Sequence, residues 1–185
     1  MALMPAVNRE LETDPAHFTG EDLPVEQVTW PEAMEFCDRL NNWLSTQPLS
    51  TNLRHLRLPT EAEWEYACRA KTTTPFHTGQ TLTTDLANYN GTQPYRQEPV
   101  GKFRGMTLPV GIFGKANDFG LYDMHGNVLE WCLPGHGEPP QDDWRVVRGG
   151  SWQSPPQDCR SAYRAGFKAD TRSNQIGFRI VAEVG

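Results

Sequence analysis

The 185-residue chain has no CxxC pair, no H-x-x-x-H pair and no G-x-S-x-G elbow. The first absence removes the spacing of a structural zinc site or a dithiol redox centre. The second leaves non-haem iron without its histidine donors, and the third leaves no serine poised on a nucleophile turn. No apolar run approaches the roughly 18 to 20 residues that cross a bilayer. The opening MALMPAVNRELE also lacks the basic start and apolar stretch of a signal peptide. No membrane insertion and a cytoplasmic location are therefore expected. Positive charge is scarce as well: 17 Lys and Arg stand against 23 Asp and Glu, a net charge of −6. General nucleic-acid binding needs bases that displace phosphate counterions, so it is not expected.

What is present suits one globular domain spanning residues 1–185, with 37% hydrophobic and 10% aromatic residues. Sixteen Gly and fifteen Pro exclude long helices from the second half and favour a loop-rich fold. Cys37, Cys68, Cys132 and Cys159 lie far apart and read as buried free thiols, small hydrophobes in effect. Charge is uneven along the chain. Residues 145–185 carry seven bases and three acids, so this third is +4 and the remainder −10. That excess suits either an anionic ligand or arginines braced against loop carbonyls and carboxylates.

Two helices are legible. In VTWPEAMEFCDRLNNWL, Thr29 and Glu32 have capping-box spacing, and Ala33, Phe36, Cys37, Leu40 and Leu44 follow at steps of three and four, predicting a helix over about 31–45. In LRLPTEAEWEYACRA, Thr60 and Glu63 repeat the device, with Trp64, Ala67 and Cys68 on one face, predicting a helix over about 61–69. Between them STQPLSTNLRH reads as an exposed polar loop. Beyond Cys68 the helical period vanishes. LPVGIF, FGLYDM, VLEW, RVVRG and IGFRIV then read as short strands between structured loops, with GFRIV as a terminal strand.

The succession LRLPTEAEWEYACRA, ANYNG, FGLYDMHGNVLEW, RVVRGGSW, CRSAYR and IGFRIV, from about residue 22 to 181, resembles the formylglycine-generating enzyme family, or sulfatase-modifying-factor domain. The resemblance implies an α+β, C-type-lectin-like fold of two helices on small, twisted antiparallel sheets. It leaves function open, because the fold carries copper oxidases, iron-dependent sulfoxide synthases and non-catalytic binders such as retroelement-diversified variable proteins.

The copper oxidases of the family hold Cu(I) with two cysteines, and the matching positions here are Ser154 and Cys159. A hydroxyl is a hard, poor ligand for Cu(I), so the pair is broken. The family's usual tryptophan in GNVWEW is also replaced, by Leu129. As a nucleophile in its own right, Ser154 lacks a base at a telling spacing among His17, His55, His77, His125 and His136. Neither copper nor iron is expected, and Cys159 reads as a packed, inert thiol. A formylglycine-generating-type oxidase with an altered site stands as the alternative.

Calcium is the cofactor that the resemblance does suggest. It would be a structural ion on the side chains of Asp123 and Glu130 and the carbonyls of Gly126 and Val128, oxygen donors that suit a hard cation. The competing reading has Asp123 capping a turn and Glu130 paired with Arg148 or Arg164. A second family site would use Asn88, but its acidic partner falls near Gly101, which has no side chain.

The remaining reading is recognition of a protein or other macromolecular ligand. Fixed residues of RGGSW, CRSA and GFR alternate with positions free to vary, in a display segment over 145–181. The candidate contact residues are Trp152, Gln153, Ser154, Pro156, Gln157, Asp158, Tyr163, Ala165, Phe167, Lys168 and Asn174. Tyr163 and Phe167 serve as anchors or as ordinary core. The family's first strand has no counterpart in the short N-terminal stretch. The expectation is an open edge along GFRIV that recruits a strand from another chain or domain, unless residues 1–12 replace it.

Overall fold

The computed structural model describes residues 11–47, 53–135 and 143–184. Helix α1, Trp30–Ser45, starts where its sequence says it should. Thr29 accepts from the Glu32 amide while the Glu32 carboxylate accepts from the Thr29 amide, a reciprocal cap with proline in the first turn. Helix α2, Glu61–Arg69, opens with the same box between Thr60 and Glu63 and ends at Ala70, in the left-handed region at φ 42°. Caps of this kind contribute about 1 kcal/mol each.

The strands are β1 Leu53–Arg57, β2 Leu129–Trp131, β3 Trp144–Arg148, β4 Arg164–Lys168, β5 Ile176–Gly177 and β6 Val181–Val184, with a short 3₁₀ turn at Pro156–Cys159. They form a four-stranded sheet ordered β4-β3-β2-β5 and a two-stranded sheet β1-β6. β3 runs antiparallel to both neighbours, whereas β5 lies parallel to β2, so the larger sheet is mixed rather than purely antiparallel.

Alternation along these strands separates two cores. Leu129, Trp131, Val147 and Ile176 turn toward α1 and pack with Ala33, Cys37 and Leu58. On the other face Glu130 meets Trp64 of α2, whose indole N–H donates to Oε2 at 2.5 Å. Trp64 packs there with Cys68, Met124 and Cys132. A third cluster, Phe76, Leu82, Ala87, Tyr89 and Cys159, lies under the loops. All four cysteines are free and buried, and burial pushes the Cys37 and Cys68 thiols up to about 11 and 12.

Three expectations need correction. The stretch read as a polar loop over 45–55 becomes a strand from Leu53. β6 pairs with it, and Asn41 of α1 satisfies both the N–H and the C=O of Leu56, at 2.8 and 2.7 Å. Those partners are distant in sequence, so no local period announces them. LPVGIF and FGLYDM form no strand; Asn117 organises the second by accepting from the Phe119 and Leu121 amides. GFRIV is divided: Ile176–Gly177 pairs with β2 and bridges Glu26, while Val181–Val184 pairs with β1. The 176–177 edge is thus occupied within the chain. The expected replacement of a first strand falls largely on residues 1–10, outside the described residues.

Candidate functional site

The site begins where β3 runs into Gly149 and Gly150, both left-handed, at φ 96° and 76°. A side chain at Gly150 would place its Cβ 2.6 Å from the Cys159 Sγ, so only glycine admits this approach. The turn that follows is fixed by its own polar groups. The Ser154 hydroxyl accepts from the Ser151 amide at 3.0 Å, the Ser154 amide donates to the Ser151 carbonyl at 3.0 Å, and the Ser151 hydroxyl donates to Gln175 Oε1 at 3.0 Å. Trp152 donates its indole N–H to the Asn174 carbonyl at 3.0 Å. The Asn90 amide donates to the Ser154 carbonyl at 2.9 Å.

Around Trp152 the rings of Phe18 and Phe103 lie 5.8 and 5.9 Å away, and His17 lies edge-on to Phe18 at 4.7 Å. The result is an aromatic row with Gln153 exposed at its rim. Sequence reasoning placed neither His17, Phe18 nor Phe103 here. Their only signal is aromatic identity, and it is the long-range packing that assembles them.

Of the residues expected to form one display surface, the structure brings together Trp152, Gln153, Ser154 and Asn174, with Gln157 and Asp158 on the adjoining 3₁₀ turn. Trp152 itself is 7% exposed and Pro156 is buried, so these two are scaffold rather than contact surface. Ala165 and Phe167 turn inward from β4 against the α1 core, because a strand sends alternate side chains to opposite faces. Lys168 is exposed but lies opposite Trp144, at the far end of the β3–β4 ladder. Tyr163 is half-buried, and burial followed by the nearby Asp158 carboxylate raises its hydroxyl pKa.

Two buried groups hold the segment from below. The Arg148 guanidinium donates to the carbonyls of Ser161 at 2.7 Å, Ala162 at 3.2 Å and Tyr163 at 2.5 Å, and to Glu65 at 2.5 Å, while lying over the Trp64 ring. His125 Nε2 accepts from the His77 amide at 3.0 Å, which leaves Nδ1 as the protonated nitrogen donating to the Cys159 carbonyl at 2.7 Å. His77 stacks on this ring at 4.7 Å. Burial, with His77 as a further cause, lowers the His125 pKa to about 3.

Cys159 is completely buried, its thiol donates to the Pro155 carbonyl at 3.7 Å, and burial raises its pKa strongly. A thiol so held is protonated at neutral pH.

At the expected calcium position, Asp123 and Asn127 are left-handed at φ 55° and 68°, and Gly126 at 95°. Glu130 pairs with Arg179 at 2.5 and 2.7 Å, and not with Arg148 or Arg164. Asp123 accepts from the Gly111 amide at 2.6 Å, a residue twelve positions back, rather than capping its own turn. Burial raises the Asp123 pKa, with Arg179 opposing and Glu130 reinforcing the shift. Arg179 thus bonds Glu130 and acts on Asp123 only through its charge, and the donors are of the oxygen type that a hard cation takes. Asn88 instead donates to Asn127 and to the Met106 carbonyl, and its own Oδ1 is buried without a partner among the described residues.

The sulfatase-modifying factor enzyme 1-like domain matches residues 3–184. The chain belongs to this family. It is 32% identical to the chaperone protein LppX of Paenibacillus barcinonensis over 91% of the chain and 72% of that protein. It is 33% identical to the inactive C-alpha-formylglycine-generating enzyme 2 of Mus musculus over 89% of the chain and 50% of that protein, so it spans half of that relative's length. Treponema denticola variable protein 1 superposes with a TM-score of 0.72 at 27% identity, covering 91% of this chain and 77% of the other. The family's C-type-lectin-like α+β fold is therefore the fold of this chain.

Proposed function

We propose that the domain is a non-catalytic recognition module that binds a protein or other macromolecular ligand through Gln153, Ser154, Gln157, Asp158 and the Asn174 loop, arranged about the Trp152 aromatic row. The observation that carries this reading is the closure around Cys159. With the Gly150 backbone against its sulfur and Ser154 engaged by Ser151, there is neither a second thiolate nor space at the first. Rigid loops on a fixed scaffold are the usual place for binding residues. A relative named as a chaperone supports a role in engaging other proteins.

The alternative, an oxidase with an altered site, makes an opposite forecast. Purified domain given Cu(I), oxygen and a cysteine-containing peptide is expected to yield no aldehyde above a copper-only blank. Aldehyde that forms with wild type and disappears in Cys159→Ala would establish the oxidase instead.

The calcium reading belongs here too. Asp123, Glu130 and the carbonyls of Gly126 and Val128 would hold the ion, and its charge would relieve the buried Asp123 carboxylate, whose pKa burial raises. Because a ligand bound only by the folded state stabilises by roughly 2.7 kcal/mol at a hundredfold excess over Kd, millimolar calcium should raise Tm by several degrees. Asp123→Asn should remove the shift. Identical melting curves in calcium and in EDTA would end the proposal.

A further inference from the structure

A second feature borders the aromatic row. Residues 102–106 form a ridge held against Thr84: the Lys102 amide donates to its hydroxyl at 3.1 Å and Arg104 Nη2 to its carbonyl at 2.7 Å. Gly91 and Gly101 pair with the ridge across the chain, the Gly91 amide donating to the Lys102 carbonyl at 3.0 Å and the Gly101 amide to the Gly91 carbonyl at 2.8 Å. Both glycines lie so close that a Cβ would meet Thr84 side-chain atoms at 2.4 and 2.7 Å. The backbone beneath Lys102 and Phe103 is therefore fixed before any partner arrives, which lowers the entropy cost of binding.

On this rigid base the ridge presents apolar surface. Phe103 stacks on Trp152 and remains 46% exposed, and Met106 is 43% exposed. Along the sequence, residues 95–106 carry Arg96, Lys102 and Arg104 against Glu98 alone, an excess of positive charge on a chain whose net charge is −6, and Lys102 is exposed directly beside Phe103. Arg104 Nη1 is buried and has no acceptor among the described residues. An exposed lysine beside a packed aromatic, with an unsatisfied guanidinium nitrogen in the same ridge, calls for a partner that brings carboxylates and an apolar side chain together. The negative charge of the whole domain disfavours a long polyanion.

We infer that the recognition face continues from Trp152 onto the ridge at residues 102–106, and that its partner there is an acidic polypeptide segment placing an apolar side chain against Phe103 and Met106. This rests on the recognition reading above and gives its partner a chemistry.

The test is selection from a phage-displayed random dodecapeptide library, followed by Kd measurement of the enriched peptides at two salt concentrations. Wild type would be compared with Lys102→Glu, Phe103→Ala and Gln153→Arg, each checked for an unchanged melting curve; Lys102 is exposed, so its variant keeps the fold even if Phe103→Ala does not. The expected result is enrichment of peptides rich in Asp and Glu around an aromatic or aliphatic residue. Their affinity should fall at least tenfold in Lys102→Glu and weaken as salt rises. Peptides without acidic residues, or peptides lost in Gln153→Arg but unaffected by both ridge variants, overturn the inference and leave the recognition reading standing. A library that yields nothing overturns the assignment of a peptide partner, while the copper assay still decides the recognition reading on its own. Equal competition by a short single-stranded oligonucleotide overturns it in favour of a general polyanion site.

Discussion

Arg148→Ala should destabilise the domain by roughly 3–5 kcal/mol, the scale for removing one member of a buried, hydrogen-bonded charge network. The side chain is 1% exposed and is the donor to three successive carbonyls, Ser161, Ala162 and Tyr163, besides its bond to Glu65. Alanine would leave those carbonyls without this donor and open a cavity against Trp64. Glu65 is a smaller concern, because its side chain reaches solvent. Arg148→Lys should recover only part of the loss, since one ammonium cannot reproduce the planar fork that serves several acceptors at once. Urea denaturation of the three proteins measures this. Backbone hydrogen exchange should also show residues 161–163 losing protection in Arg148→Ala before the β2–β3 ladder does. A variant within 1 kcal/mol of wild type would refute the bracing role.

The second large effect depends on pH. The His125 pKa is about 3 in the folded protein against about 6.5 for a solvated histidine. A depressed pKa means that the folded state prefers the neutral ring. Below about 6.5 the unfolded chain binds the extra proton, so the stabilisation is fully present above that pH and is lost progressively as pH falls toward about 3. The slope approaches its one-proton limit below about pH 6, so lowering the pH from about 6.5 to about 4.5 should cost on the order of 2 kcal/mol. Burial lowers the His77 pKa as well, which adds in the same direction.

The geometry explains why the site resists a proton. Nε2 already accepts from the His77 amide and Nδ1 already donates to Cys159, so protonation would set one N–H against another inside a buried stack. His125→Gln keeps one donor and one acceptor but cannot titrate. Its stability should fall less steeply with acid than that of wild type, even if it is lower at neutral pH. Parallel curves for the two proteins would show that the pH dependence arises elsewhere.

Several elements were legible from sequence because their signals are local. The two capping boxes place α1 and α2 to within a residue, since Thr29 and Thr60 each bond to an amide three positions ahead. The four cysteines read as buried thiols, and they are. β1 was not legible, because Leu53–Arg57 becomes a strand only through β6 and Asn41. The candidate site was half legible. The RGGSW motif marked the turn, but Ala165 and Phe167 could not be assigned a face until β4 was known to pair with β3. An arginine partner for Glu130 was one of two readings, but Glu130, Arg148 and Arg164 stand in register on one face of the sheet. The choice falls to Arg179 because Arg148 is engaged by Glu65 and the 161–163 carbonyls and Arg164 by Glu61.

By itself the sequence determined the helices, the family motifs and the replacement of one of two expected cysteines by Ser154. Those depend on residue identity and on contacts within a few positions. Only the tertiary structure decided that Gly150 closes over Cys159, that Arg148 and His125 support the loop from beneath, and that Phe18 and Phe103 gather on Trp152. These contacts join segments tens of residues apart, and close packing, rather than local pattern, selects them.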